Sequence, residues 1–338
     1  MDRQTDYSDS SLSDNNRIAG GPCDIAHSVL SSVACDDDNV AQKSTKTFLF
    51  NMLPPATVAV IILFWAFAPD YWVQNPFSII VAGLVTTVFV QILEFLHERH
   101  VDWRLNKREF FTDFFYLMLG YTAIAWASAT FAEAPLKAVK QSMGITTDWA
   151  MELPFLLQVA LVIFLFELGQ YWMHRLMHNN SLLWSTHAPH HHITQLNAMK
   201  GYVGNPLELF LISISVLALF DLPAAAQFCA FNVLGAVSSF AHANVKANPP
   251  RWYSYVFTTI RHHSLHHTAL SYEDTRCNYG NSLILLDRIF GTFREGESAV
   301  VGQDERKRLT IAEQFIFPFR PLVDRIKAKQ AASTATSN

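Results

Sequence analysis

Hydrophobic positions along the chain fall into long runs, with little of the short alternation of a soluble fold. Runs cover residues 48–68, 77–96, 110–131 and 154–172. Each approaches the roughly 20 residues a helix needs to cross a bilayer. Pro54 and Pro55 interrupt the start of the first run, and Asp113 lies near the start of the third, so that span is expected to begin a few residues later. Two more runs, 207–220 and 223–241, are separated by Asp221. The former is short for a full span, so the pair is read as a re-entrant or shallow helical hairpin. The pattern predicts an all-α fold, a multi-pass helical membrane protein with about four spans plus the short hairpin. Six such runs are hard to bury in one soluble core without lipid.

Composition agrees. Of 338 residues, 50% are hydrophobic and only 16% charged, against about 25% charged in soluble domains. The net charge of −4 gives no basic patch for nucleic acid. Cys23, Cys35, Cys229 and Cys277 show no CxxC spacing, which fits reduced thiols rather than a disulfide framework. Residues 1–47 are polar, with an acidic run at Asp36, Asp37 and Asp38, and read as a disordered tail rather than a signal peptide. The expected organisation is this tail, transmembrane helices over 48–173, a catalytic region over 174–300 containing the membrane hairpin 207–241, and a C-terminal tail over 301–338.

Charge in the connections sets orientation by the positive-inside rule. The 97–109 connection carries Arg99, Arg104, Lys107 and Arg108, and Lys43 and Lys46 precede the first span. The 133–153 connection has only Lys137 and Lys140, diluted by Glu133, Asp148 and Glu152. The N-terminus, the 97–109 connection and the chain after residue 172 are therefore expected on the cytoplasmic side. The hairpin returns to that face.

The histidines cluster on this same face. His174 and His178 lie in HRLMH, His187, His190 and His191 in HAPHH, His242 in HANV, and His263, His266 and His267 in HSLHH. On a helix, residues at i, i+3 and i+4 share a face, so each motif presents imidazoles together. Neutral imidazole is a common ligand for zinc, copper, iron and nickel. A tetrahedral zinc site takes four ligands, so nine imidazoles suit two metal ions, held in a cytoplasmic helical cap. His192 and His262 are off-pattern, and His97 and His100 read as interfacial polar residues.

The four histidine motifs, in this order and on one membrane face, resemble the fatty acid hydroxylase superfamily, which includes the sterol desaturases. NAMKGYVGNPLE at 197–208 resembles the segment after the second motif in many members. EDTRCNYGNSLILLDRIFGTF at 273–293 resembles their closing block. The likeness covers roughly 94–293. One departure is Asn205, before Pro206, where many members have His; it is not counted as a ligand. The resemblance implies two iron ions in a non-haem di-iron centre, O2 as co-substrate, and oxidation of an unactivated C–H bond in a membrane lipid. Because ligating histidines usually donate their other N–H to a carboxylate or carbonyl, Glu167, Glu208, Glu273, Asp274, Asp287 and Asn278 are the supporting candidates.

Each turnover then needs two external electrons. The chain has no GxGxxG, no Cys cluster and no recognisable haem motif, so a separate donor is expected, a ferredoxin or cytochrome b5 with its reductase. The expected activity is hydroxylation of a fatty acyl chain or polar lipid such as an aminolipid, in a bacterial inner membrane or the ER membrane. The alternatives are a sterol C-5 desaturase-type or sterol methyl oxidase activity, a His-rich metal transporter, or a catalytically dead lipid-binding relative.

Overall fold

The computed structural model describes residues 37–320. The expected tail before 37 and the stretch after 320 lie outside the described residues. The chain divides into Met1–Gln42 and Lys43–Asn338. Of the first unit only the opening of helix α1 (Asp37–Ala66) is described; all later elements belong to the second.

Among the described residues the fold is helical, with only isolated β-bridges. Five helices are long and apolar enough to cross a membrane: the Thr45–Ala66 part of α1, α2 (Phe77–Leu96), α3 (Lys107–Ser142), α4 (Phe155–Asn179) and, further on, Ala224–His242. Their outward faces expose Val60, Leu63, Val85, Ile92, Phe111 and Phe131. Such side chains are costly in water and at home in hydrocarbon. The chain is a multi-pass helical membrane protein.

Helix α1 runs unbroken through Pro54 and Pro55, where the sequence suggested an interruption. The two prolines remove intrahelical donors to Phe50 and Asn51, and the Thr57 hydroxyl donates back to the Leu53 carbonyl at 2.8 Å. Hydroxyls of this kind are one way membrane helices tolerate proline. Helix α3 starts at Lys107, where the Asn106 side chain accepts from the Glu109 N–H at 3.0 Å. The Asp113 carboxylate faces inward, 2.7 Å from Lys200 Nζ and 2.7 Å from Asn197 Nδ2. Two π-helical turns, Gly120–Ile124 and Ala129–Glu133, interrupt α3.

After α4 come α5 (Ser181–His191) and α6 (Pro206–Ser213). Beyond α6 the chain is extended at Ile214 and Ser215, forms a 3-10 turn at Val216–Leu219 and is extended again at Phe220. Asp221, between the two runs, is held by Lys140 in the last turn of α3 and by the hydroxyl of Thr147, just beyond α3, at 2.9 Å.

Helix α7 (Ala224–His242) returns through the centre of the bundle. Its buried Ala226, Ala230, Ala236, Ser239 and Ala241 are small, which lets neighbouring helices approach closely. Asn232 on α7 accepts from Trp65 Nε1 at 3.2 Å and donates to Thr86 Oγ1 at 3.1 Å, tying α1 and α2 to it. Among the short helices that follow are α8 (Ile260–His266), α9 (Leu285–Phe290) and α10 (Ile311–Ile316). Residues 301–320, expected to belong to the C-terminal tail, pack back on the bundle. Arg308 pairs with Glu109, Tyr116 donates to Gln314 Oε1 at 2.7 Å, and Asn205 donates to the Gln314 carbonyl at 2.7 Å. Buried polar groups on both sides demand these partners.

Lys200, Glu109 and Asp113 form a buried ionic cluster that anchors the 197–205 loop to α3. Removing one member of such a cluster leaves uncompensated buried charge. Lys200→Met is expected to destabilise the protein by about 3 kcal/mol or more, seen as a lower melting temperature in detergent. An unchanged melting temperature would show that the cluster does not anchor the loop.

Candidate metal centre

Each histidine is placed by an identifiable local cause. The last turns of α4 carry His174 and His178 four residues apart. The Asn180 side chain caps α5, accepting from the Leu182 and Leu183 N–H groups at 3.0 and 3.1 Å, and α5 carries His187, His190 and His191. His242 closes α7, while His263 and His266 lie on α8 with His267 just after it.

These four stretches meet in two groups. One holds His174, His178, His187, His191 and His266, the other His190, His242, His263 and His267, and within each group the ligand atoms lie within 4.8 Å of one another. All nine are buried. Each HxxHH motif is split between the groups. His187 and His191 face the first and His190 the second; His263 and His267 face the second and His266 the first. The groups adjoin, with the His191 and His267 rings stacked at 4.5 Å.

Five imidazoles are locked by an acceptor at Nδ1. His174 donates to the Tyr279 carbonyl at 2.7 Å, His190 to Val203 at 2.6 Å, His266 to Cys277 at 2.7 Å and His242 to Ser238 at 2.8 Å. His187 Nδ1 donates to Glu208 Oε1 at 2.7 Å. A proton held at Nδ1 leaves Nε2 as a bare lone pair. His174 Nε2 and His187 Nε2 are nevertheless 3.0 Å apart. His266 Nε2 is buried without a partner. Lone pairs converging in a dry site are repulsive unless a cation lies among them, so the donor set fits metal ions. Trp184 covers this group, its ring 5.0 Å from His178 and 5.2 Å from His191.

The supporting candidates separate into three kinds. Glu208 touches a histidine directly. It also accepts from the Asn205 N–H at 3.2 Å, closing the cap of α6. Glu167 and Asp287 act one step away. Glu167 Oε2 accepts from the Ser282 and Leu283 N–H groups, both at 2.9 Å. Asp287 accepts from the Tyr279 and Gly280 N–H groups, both at 2.7 Å, and from Thr292 at 2.6 Å. Together they fix the loop whose carbonyls hold His174 and His266. Asn278, at φ 53°, clamps the same loop by donating to the His262 and Arg294 carbonyls. Glu273 and Asp274 instead pair on the surface with Arg276 and Arg294, away from both groups.

Asn205 belongs to neither group, since its side chain is engaged by α6 and by the Gln314 carbonyl. His192 and His262 also lie outside them, beside Asp304 and Glu295. His100 meets Glu297 at 3.2 Å. Sequence reasoning missed Trp184, whose position three residues before His187 on α5 was the available signal. It also missed Lys200, whose partners are distant in the chain.

A bundle of membrane-length helices closed by two buried, adjoining imidazole groups defines a multi-pass membrane protein with a candidate two-metal centre. Residues 159–292 match the family model described as fatty acid hydroxylase. The chain is 28% identical over 63% of its length to the ornithine lipid hydroxylase OlsE of Rhizobium tropici. It is 33% identical over 40% of its length to the human alkylglycerol monooxygenase, and 24% over 51% to a probable Delta(7)-sterol 5(6)-desaturase of Neurospora crassa. The matched stretches span 66% of the first relative and 31% of the second. No solved structure matches.

Burial holds His187 down to about 3, and holds His190, His191, His263, His266 and His267 below the ordinary histidine range, with neighbouring imidazoles adding to the effect. Unfolding returns each to near 6.5. The unfolded chain then binds more protons below that pH, so folding stability is present above about pH 6.5 and lost as pH falls. Metal-free protein is expected to melt lower at about pH 5.5 than at pH 7.5, as thermal unfolding across that range would show. A melting temperature independent of pH would contradict the buried neutral state.

Proposed function

We propose that the chain is an O2-dependent oxidoreductase that hydroxylates a C–H bond of a membrane lipid. The observation that supports this most directly is the pair of adjoining all-imidazole groups closing a membrane-length bundle. His174, His178, His187, His191 and His266 would hold one iron, and His190, His242, His263 and His267 the other. Such a non-haem iron pair supplies O2 activation when bound.

The protein's own part is to hold nine neutral imidazoles with their lone pairs inward. Glu208 keeps the proton of His187 at Nδ1, and the Tyr279, Val203, Cys277 and Ser238 carbonyls do the same for four more. Burial excludes bulk water from the centre, which limits side reactions. The position of His174, His178 and His242 at the ends of α4 and α7 supports a centre beside the bilayer, within reach of a dissolved lipid. The basic connections support a cytoplasmic assignment for that face.

Substrate class rests on the relatives, two of which are named ornithine lipid hydroxylase and alkylglycerol monooxygenase. A sterol desaturase activity is the second reading, supported by the likeness to the Neurospora protein. A metal transporter would need ionisable groups free along the spans. Glu94, Glu109, Asp113 and Glu167 are instead engaged by backbone N–H groups or basic side chains.

Metal analysis of detergent-purified protein is expected to find two ions per chain. One ion or none would contradict the ligand assignment. Glu208→Gln is expected to weaken metal retention roughly 10–100-fold in chelator competition, while His187→Ala and His266→Ala abolish product in protein that still inserts. Near-normal turnover in either alanine variant would reject the assignment. Lipid mass spectrometry of cells with and without the gene separates the activities. Gain of one oxygen means hydroxylation, and loss of two hydrogens means desaturation. No change in any lipid class would reject both.

A further inference from the structure

A cleft at the end of α2, beside the opening turns of α1, takes no part in the metal centre. Its volume is about 510 Å3, and Phe95, Leu96, His97, Arg104 and Lys246 are among its walls. The backbone ties these walls together. The Lys246 N–H donates to the His97 carbonyl at 2.8 Å, and Glu98 forms a β-bridge with Val245. Helix α1 is packed against the same place. The Phe50 ring meets His97 with centres 4.4 Å apart, and Lys46 Nζ lies 5.8 Å from the centre of Phe50.

The acids of the cleft are already engaged. Glu98 accepts from two nitrogens of Arg104, at 2.7 and 2.5 Å. Glu94 Oε1 accepts from the Ala198 and Asn244 N–H groups at 2.7 and 2.9 Å, and Gln91 donates to Oε2. Lys46 and Lys246 are exposed and pair with no carboxylate among the described residues. Burial, and then the charges of Lys46 and Lys246, hold His97 below the ordinary histidine range. Both ammonium groups therefore act on one spot. Apolar side chains lie alongside. Phe95 and Leu96 end the α2 span, Phe48 and Leu49 open the α1 span, and all four are exposed. Uncompensated cations at the membrane end of two helices complement an anionic headgroup, and apolar side chains next to them complement its chains.

We propose that this cleft binds the phosphate of an anionic glycerophospholipid, with Lys46 and Lys246 toward the phosphate and Phe95 and Leu96 against the first carbons of the acyl chains. A lysine ammonium is a compact charge with three donors, which suits a phosphate. The apolar wall distinguishes a lipid from free phosphate, since an inorganic anion has nothing to place there.

The test uses the full chain, purified and delipidated in a neutral detergent. Native mass spectrometry follows its titration with dioleoylphosphatidylglycerol in one arm and dioleoylphosphatidylcholine in the other. The wild type is expected to bind one phosphatidylglycerol roughly tenfold more tightly than phosphatidylcholine. Lys246→Gln and Lys46→Gln each weaken phosphatidylglycerol binding about fivefold, the contribution of one lysine beside an anionic headgroup. Both leave phosphatidylcholine binding and the melting temperature unchanged, and Lys246→Arg, which keeps the charge, retains the affinity. Lys107→Gln removes an exposed lysine of the same basic connection that lies outside the cleft, and keeps wild-type affinity. Equal affinity for the two lipids would overturn the proposal. So would an equal loss in Lys107→Gln and Lys246→Gln, which would mean diffuse attraction to a basic face. Millimolar inorganic phosphate separates the two sources of the charge. Retention of the lipid in its presence supports the proposal, and displacement would show a free-anion site and overturn the assignment to lipid.

Discussion

Nine neutral imidazoles are packed against one another in a place that water does not reach. Nitrogen lone pairs at about 3 Å repel each other, and burial removes the solvent that would otherwise screen them. The arrangement is tenable with cations among the lone pairs. Much of the surrounding chain is organised to keep it so. Backbone carbonyls and Glu208 take the Nδ1 protons. Glu167 and Asp287 hold the loop that carries two of those carbonyls. The ionic cluster of Lys200 holds the loop that carries a third. Charge is spent here on positioning, in a part of the molecule where an unpaired charge costs several kcal/mol.

Splitting each HxxHH motif is what turns one helix face into two sites. Residues at i and i+4 lie nearly in line, while i+3 is rotated away by about 60° of helix turn. Two such helices, α5 and α8, can each give a pair to one group and a single ligand to the other. Two adjoining groups arise from this geometry without any carboxylate ligand. Small residues along α7 let it run through the middle of the bundle, so that His242 reaches the second group.

Much of this was legible from the order of residues. Length and polarity of the apolar runs specify the spans, because a bilayer tolerates little else. Helical spacing within HRLMH, HAPHH and HSLHH specifies which imidazoles share a face. Likeness to the fatty acid hydroxylase family was readable from those motifs and from the 197–208 and 273–293 blocks. The pairing of Asp113 with Lys200, 87 residues away in the chain, was not readable from either segment.

The sequence alone determined that the protein is a helical membrane protein with histidines at metal-ligand spacing, since hydrophobic length and the 3.6-residue period are local properties. Tertiary structure decided which histidine serves which group, that Glu273 and Asp274 face solvent while Glu208 meets His187, and that residues 301–320 close over the bundle. Those outcomes depend on contacts between segments up to about two hundred residues apart, such as Tyr116 with Gln314. Distances of that kind are set by how helices cross and pack, and no periodicity in a single segment contains them.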